Sequence, residues 1–449
     1  MSELLLLKKE DCKSCYKCIR ECALKSIRFS ENRAQIVERE CVYCGHCYVT
    51  CPQSAKEIRR DTDKARALIA SGRPVIVSLA PSFIADFGVG GLDGMRQALL
   101  KLGFADVEET ARGARIVKTE YERMIASGEH QLIISSCCHS VNLLIQKRYP
   151  QALPYLAKVD SPMLAHAKSI KERVPGSAVV FIGPCISKKD EAEQYGQVDC
   201  VLTFDELIDW LAEEGIELPA GEQPDGTEAR SRFFPTAGGI IRSMDLDDGF
   251  SYIPIDGLRR CMDALEEIER GGMQNCFVEM NACEGSCIGG PVMHRYHSAP
   301  ITCKTRVEQY SGKSGRDFDD QPADDLRKSM QYIGSGAVKP GEAAIQEVLH
   351  KLGKYRPEDE LNCGTCGYST CREKAIAVCQ GKADLTMCLP FLKARAESFS
   401  GAILDNTPNA IMAMDTKLII QQANESAARL FGMESPREMV GMPIDAILG

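Results

Sequence analysis

The chain lacks a basic excess: 54 Lys and Arg stand against 63 Asp and Glu, for a net charge of -9. That balance excludes the electrostatic footprint of a nucleic-acid binder. Long hydrophobic runs are missing as well. The opening Leu4–Leu7 falls far short of the ~20 apolar residues of a membrane span, and no cleavable signal pattern follows it. The expectation is a cytoplasmic protein with no membrane and no nucleic-acid partner. The apolar fraction of 44% and charged fraction of 26% are ordinary for a globular protein, which removes disorder from consideration. Cysteine, in contrast, is abundant, with 22 in 449 residues. A reducing compartment makes a disulfide framework improbable in a chain of this size, so clustered cysteines are expected to hold metal. The length suggests three or more folded units.

The cysteines begin with an internal repeat. Cys12, Cys15, Cys18 and Cys22 are followed by Cys41, Cys44, Cys47 and Cys51, both runs spaced C-x2-C-x2-C-x3-C, and Pro52 closes the second. Three close thiols plus a distant one reach the corners of a cubane, and in two-cluster ferredoxins the fourth cysteine of each run serves the other cluster. Cys12, Cys15, Cys18 and Cys51 are thus expected on one 4Fe-4S cluster, and Cys41, Cys44, Cys47 and Cys22 on a second. A pair of zinc sites is the competing reading, and it normally comes as separated cysteine pairs. Ala23 replaces the proline after the first run, which loosens the turn and removes no ligand.

From residue 61 to about 340, short apolar runs alternate with longer amphipathic ones, the pattern of an α/β layer architecture. Strands are predicted at Pro74–Leu79, Gln131–Ile134, Ala178–Ile182 and Asp199–Leu202, and helices at Leu92–Leu102 and after Thr203, where Glu206 completes a capping box. The stretches 219–228 and 311–325 read as surface loops. Cys137 and Cys138 follow one apolar run, Cys185 another, and Cys283 and Cys287 a third, Phe277–Met280. Ligands of open parallel sheets sit beyond strand carboxyl ends, so these thiols stand where a site belongs. Gly285, Gly289 and Gly290 would let backbone approach a bulky cofactor.

Three segments in this order, SSCCHS at 135–140, GPCISKKDE at 183–191 and EMNACEGSCIGG at 279–290, resemble the motifs of the FeFe-hydrogenase catalytic domain, of the sensory type. LAPSF at 79–83 and TAGGI at 236–240 resemble two further pocket walls. The resemblance implies an H-cluster: a 4Fe-4S cubane on Cys138, Cys185, Cys283 and Cys287, joined through Cys287 to a two-iron subcluster with CO, cyanide and dithiolate ligands. It gives Cys137 a proton-relay role, although a small buried hydrophobe beside a ligand is the plainer reading. It also aims Lys188 at a cyanide of the two-iron unit and sets Pro81 and Ser82 near its distal atoms. Glu191 matches an acidic position and could equally partner a lysine.

Some positions depart from the family. Gly183 and Asn281 stand where productive enzymes usually carry methionine, and His139, Ser140 and Val141 replace a proline-containing segment ending in tryptophan. The altered packing should change the pocket's solvent access and hydrogen bonding. For the acidic relay that the resemblance implies upstream of the first motif, Glu120 and Glu122 are the nearby candidates. Cys200, Cys261, Cys276 and Cys303 read as buried structural thiols, and His139 is the one histidine placed to matter.

Cys363, Cys366, Cys371 and Cys388, in NCGTCGYSTC and MCLPF, resemble the ligands of a small helical iron-sulfur module preceded by a helix over Ala343–Leu352. Cys379 is a surplus thiol, expected in the core. The tail 403–433 resembles the opening of a PAS domain, with a generic α/β fragment as the alternative. The expected units are a two-cluster ferredoxin domain (1–60), a FeFe-hydrogenase-like α/β domain (61–345), a 4Fe-4S module (346–397) and the start of a PAS domain (398–449).

The function implied is slow interconversion of dihydrogen with protons and electrons, reported through the PAS segment. Its partners would be dihydrogen and protons, a redox protein such as a ferredoxin, maturation proteins, and a second copy through PAS. The rival is a hydrogenase-like iron-sulfur assembly or scaffold protein that keeps cubanes and never carries the two-iron unit.

Overall fold

The computed structural model describes residues 4–8, 10–219, 221, 227–320 and 325–448. Parts of the two expected loops, at 220, 222–226 and 321–324, lie outside the described residues. The chain divides into two compact units, Met1–Val338 and Lys339–Gly449.

The first unit opens with short strands. β1 (Leu5–Leu7) pairs antiparallel with β4 (Lys56–Ile58), closing the cysteine repeat between them, while β2 (Ile27–Ser30) and β3 (Arg33–Ile36) form a hairpin. Glu31 and Asn32 at its tip both have positive φ, 53° and 56°, the backbone of a two-residue turn whose twist matches its strands.

Two all-parallel sheets follow. One has the order β6 (Asp106–Glu109), β5 (Val75–Leu79), β8 (Ala178–Gly183), β9 (Cys200–Thr203). Its register sets Leu79 opposite Ile182 and Ile182 opposite Leu202. β5 and β8 are buried at every position, as expected of strands covered on both faces. The other sheet has the order β10 (Ser251–Asp256), β11 (Cys276–Asn281), β7 (Leu132–Ile134). The strands predicted from apolar runs are present within a residue or two of their expected bounds.

Helices cover the sheets. α1 (Leu92–Lys101) is the predicted amphipathic helix. α2 (Ala111–Ala126) buries a stripe that includes Ile116, Val117, Tyr121 and Ile125, at the three-to-four-residue spacing of one helix face. α3 (His139–Arg148) and α4 (Ser187–Tyr195) start just after the cysteines of the first two motifs. α5 (Phe204–Glu213) has its capping box, Thr203 and Glu206 satisfying each other's backbone donors. One hydrophobic core runs from Leu4, Leu24 and Val42 through both sheets to Val307 and Tyr310.

The second unit has its own small core of Ile345, Val348, Leu349, Leu352, Ala375 and Cys388. It is built on α6 (Glu342–Lys351), α7 (Cys371–Cys379) and α8 (Leu389–Asn406). An antiparallel pair follows, β12 (Met412–Met414) and β13 (Ile420–Ala423). Asn424 caps the next helix by accepting from the Ala427 amide at 2.9 Å. Among the described residues no helix is long and apolar enough to cross a membrane.

Candidate iron-sulfur centres

Cys12, Cys15, Cys18 and Cys51 line one cavity, and Cys22, Cys41, Cys44 and Cys47 another. The fourth cysteine of each run thus lines the other run's cavity. Cys363, Cys366, Cys371 and Cys388 share a third cavity, in the second unit. Cys138, Cys185, Cys283 and Cys287 line a fourth. Among the described residues no three His, Cys, Asp or Glu side chains converge closely enough for a single metal ion. The thiols of each set surround a space, a donor set that would fit the four corners of a cubane.

The fourth cavity is assembled from strand ends of both sheets. Cys138 follows β7 and caps α3, Cys185 follows β8, and Cys283 and Cys287 follow β11. Ser135 ties the first motif to the third, its hydroxyl accepting from the Met280 amide at 3.1 Å and its amide donating to the Val278 carbonyl at 3.0 Å. Asp256 holds the third motif's turn through the Gly285 amide at 2.6 Å. Burial, reinforced by neighbouring thiols, raises the Cys138 and Cys283 thiols above their ordinary value, so their thiolates would need a cation at close range, which cluster iron would supply. Ser286 has a buried hydroxyl without a partner among the described residues, a donor left over beside this cavity.

The second and fourth cavities adjoin. Cys283 lines the former and Cys44 the latter. Gly45, next to Cys44, has φ +76°, and a Cβ there would stand 2.6 Å from Pro291, so glycine permits this approach. α3 clamps the junction from its far end, where Lys147 donates to the Cys41 carbonyl at 2.6 Å and Arg148 to the Leu24 carbonyl at 2.6 Å.

Of the residues that the resemblance singled out, Lys188 lies close to the Cys185 and Cys138 thiols of this cavity. Lys188 is largely buried, not the solvated charge that its neighbours in sequence would suggest, and donates to the Cys137 carbonyl at 3.0 Å and to Glu191 at 2.5 Å. Burial works against its ammonium, but Glu191 and the nearby Cys185 thiol outweigh that and raise its pKa. Glu191 is fully buried between Lys188 and Lys328 and also accepts from Ser161 at 3.0 Å. Its burial penalty is overcome by the two lysines, which hold it well below the usual carboxylate range. Its role as a lysine partner is therefore met twice over. His139 is buried with Nε2 2.7 Å from Asp190, and burial lowers its pKa. Pro81 and Ser82 follow β5, both buried, and the Ser82 hydroxyl has no partner among the described residues.

Cys137 packs against Tyr121. Burial pushes its thiol up to about 12, despite the hydrogen bond with Tyr121, so it does not hold the ordinary thiol value near 8.5. Its partner is the Tyr121 hydroxyl at 3.2 Å, and that hydroxyl meets Ser136 Oγ at 3.1 Å, which donates to the Val159 carbonyl at 2.8 Å. Tyr121 was missed between the two candidates Glu120 and Glu122, which face elsewhere: Glu120 pairs with exposed Arg123 and Glu122 accepts from the Asp245 amide. The signal for Tyr121 was the buried stripe of its helix. Glu279 was missed although it opens the third motif. It is buried, accepts from the Ile241 amide at 3.1 Å and from Asn281 at 3.1 Å, and burial raises it to about 7.

One further expectation is corrected, and the space beside Gly183 proves to be filled. Cys379 is exposed at the end of α7 and donates to the Ala344 carbonyl at 3.5 Å; it is not a core thiol. At Gly183 the missing methionine leaves no open space, because the Phe181 ring occupies it: a Cβ would lie 2.6 Å from that ring. Cys200, Cys261, Cys276 and Cys303 are buried, as expected.

Residues 73–291 match the family described as iron only hydrogenase large subunit, C-terminal domain, and residues 359–390 a family described as an Fe-S cluster. The chain is 26% identical over 356 residues to the NADP-reducing hydrogenase subunit HndD of Solidesulfovibrio fructosivorans, covering 62% of this chain and 60% of that protein. It is 27% identical over 221 residues to the cytosolic Fe-S cluster assembly factor NAR1 of Yarrowia lipolytica, covering 41% of this chain and 45% of that protein. A solved FeFe-hydrogenase HydA1 from Chlamydomonas reinhardtii is 20% identical, with a TM-score of 0.46, covering 66% of this chain and 95% of that one. The chain therefore spans about half to three fifths of the lengths of these two curated relatives. The fold is mixed α/β, with a FeFe-hydrogenase-like domain and a C-terminal iron-sulfur module, and the chain is a hydrogenase-like iron-sulfur protein.

Proposed function

We propose that the chain holds four 4Fe-4S cubanes, passes single electrons among those of its first unit, and uses its hydrogenase-like domain in the manner of an iron-sulfur assembly or scaffold protein. The observation that carries this reading is the grouping of sixteen cysteines around four cavities, two of which adjoin through Cys44 and Cys283. Electrons would enter at the cubane of Cys12, Cys15, Cys18 and Cys51 from a redox protein such as a ferredoxin, and pass through that of Cys22, Cys41, Cys44 and Cys47 to that of Cys138, Cys185, Cys283 and Cys287. Beside that last cubane, two of the residues that the resemblance singled out already have partners within the protein. Lys188 and Lys328 share the single charge of Glu191, leaving a buried net positive charge beside the thiolates. The hydrogen bonds from Cys137 run through Tyr121 and Ser136 to a carbonyl, which has no proton to hand on. Similarity to a named cytosolic assembly factor supports the same reading and a cytoplasmic location.

A second reading is interconversion of dihydrogen with protons and electrons, slow and sensory, with output through a PAS domain begun at residues 398–449. It is favoured by the unpartnered Ser82 hydroxyl and by Cys137 and Lys188 standing together at one wall. A two-iron unit bound there through Cys287 would supply the hydrogen chemistry. Lys188 would then hold a positive charge against it, Ser82 would offer a hydroxyl, and Cys137 would hold or move a proton at Sγ. Maturation proteins would be required to insert that unit.

Infrared spectroscopy of protein exposed to a maturation system separates the two, because metal-bound CO and cyanide stretches belong to no cubane. Full cubane content without those bands is expected. The bands together with dihydrogen turnover would overturn the first reading in favour of the second.

A further inference from the structure

Ser286 sits between two thiols of the fourth cavity, Cys283 and Cys287, and lines that cavity with them. Its backbone is left-handed, at φ 64°, a conformation natural to glycine and strained for serine. The turn imposes it: Gly285 is left-handed as well, at φ 80°, and Asp256 holds the Gly285 amide at 2.6 Å. The Ser286 side chain is 0% exposed, and its hydroxyl has no partner among the described residues. Glycine would relax the backbone and bury no hydroxyl, so the serine carries two costs that nothing in the described chain offsets. A cluster in the cavity would offset the second. Its thiolates and sulfides accept hydrogen bonds and have no hydrogen to give. Ser187 already meets one of these sulfurs, its Oγ 3.1 Å from Cys185 Sγ, and with Cys185 ligating as thiolate that hydroxyl is the donor.

We propose that Ser286 donates its hydroxyl hydrogen to a sulfur of the cubane held by Cys138, Cys185, Cys283 and Cys287, and thereby raises that cubane's reduction potential. This role rests on the reading that the cavity holds a cubane; Ser286 tunes the cluster and does not ligate it. Reduction adds one negative charge to the cluster and no proton, and the hydroxyl keeps its own. A hydrogen bond to the more negative state is the stronger one, so it favours the reduced cluster. Hydrogen bonds to cluster sulfurs are among the levers that set such potentials. The raised potential would draw the electron from the adjoining cubane of Cys22, Cys41, Cys44 and Cys47.

Redox titration of the cluster-loaded full chain, followed by electron paramagnetic resonance, tests it. Ser286→Ala removes the hydroxyl and keeps the strained turn, whereas Ser286→Gly removes it and relaxes the backbone as well. Both should lower one midpoint potential by the same amount, about tenfold in the reduction equilibrium or ~60 mV for one electron. The other three midpoints should stay in place, with about sixteen iron per chain. In the reduced native chain that cluster should couple magnetically to one more exchangeable proton than in either variant. Midpoints unmoved at full iron overturn the proposal, the result that a hydroxyl bonded only to buried water would give. So does a shift in one fully loaded variant alone, which a shared loss of the hydroxyl cannot produce. Should Ser286→Ala load less iron, Ser286→Gly, which suits the turn, carries the test through the lost proton coupling. About twelve iron in the native chain, unchanged by substitutions at Cys138 and Cys185, overturns the reading that this cavity holds a cubane and the proposal with it.

Discussion

Gly183→Met is the substitution a comparison of motifs would recommend for restoring a hydrogenase-like pocket, and the structure expects it to be destabilising. An ideal Cβ at 183 would lie 2.6 Å from both Cε1 and Cζ of Phe181 and 3.0 Å from the Ala80 Cβ. The Phe181 ring is buried in the main core and cannot swing into solvent. Against a ring that cannot move away, overpacking falls in the upper half of its usual ~1–3 kcal/mol, and losing a glycine returns ~0.4–1 kcal/mol through the unfolded chain, for a net loss of about 1–2.5 kcal/mol. Phe181→Ala alone should cost ~3–5 kcal/mol. In that background the methionine has a cavity to fill, so the double variant should be more stable than the sum of the singles by at least ~1.5 kcal/mol. The sole tryptophan, Trp210, is buried in the same core and reports denaturant unfolding by fluorescence. A neutral Gly183→Met, or a coupling below ~0.5 kcal/mol, would refute the account of Phe181 as the occupant of that space.

Two further outcomes follow from buried charge. Lys328→Met leaves Glu191 with Lys188 and Ser161 as partners, so the loss should lie at the low end of the ~3–5 kcal/mol for breaking a buried pair; a denaturant midpoint that hardly moves would contradict it. Burial alone would raise Glu108, but hydrogen bonds from His166 and Arg173 more than reverse this and hold it at about 2 against an ordinary 4.5. A depressed carboxylate stabilises the fold above its unfolded value and loses that contribution as pH falls through its folded value. Glu108→Gln should thus be less stable than the native chain near neutrality, and the difference should shrink from about pH 4.5 toward pH 2. Cluster loss in acid is common to both proteins, so the difference isolates the carboxylate, and a gap that does not narrow would contradict the pairing.

The strand ends were legible because two signals coincide there: a short apolar run, then a cysteine. Cys138, Cys185 and Cys283 were placed on that basis, and the N-terminal repeat was legible because cubane ligation constrains spacing tightly. Strand pairing was not legible. Nothing in the sequence says that β7 belongs with β10 and β11 while β8 joins β5, although the site depends on two sheets converging. Tyr121 was hidden by its acidic neighbours, since on a helix the adjacent residues point ~100° away. Lys328 lies in a segment without periodicity, held to the rest by the Val159–Arg327 bridge, and its burial is a tertiary fact. Phe181 looked like any strand residue until the glycine two positions on proved to be its neighbour.

Metal and sulfide analysis of anaerobically reconstituted protein, without a maturation system, tests the central claim most directly. Four cubanes require about sixteen iron and sixteen sulfide per chain. Replacing two cysteines of one set, such as Cys363 and Cys366, should remove about four of each and leave the other three clusters spectroscopically intact. About eight iron in the fully reconstituted native chain, unchanged by substitutions at Cys138 and Cys185 or at Cys363 and Cys366, would contradict the assignment of clusters beyond the N-terminal repeat.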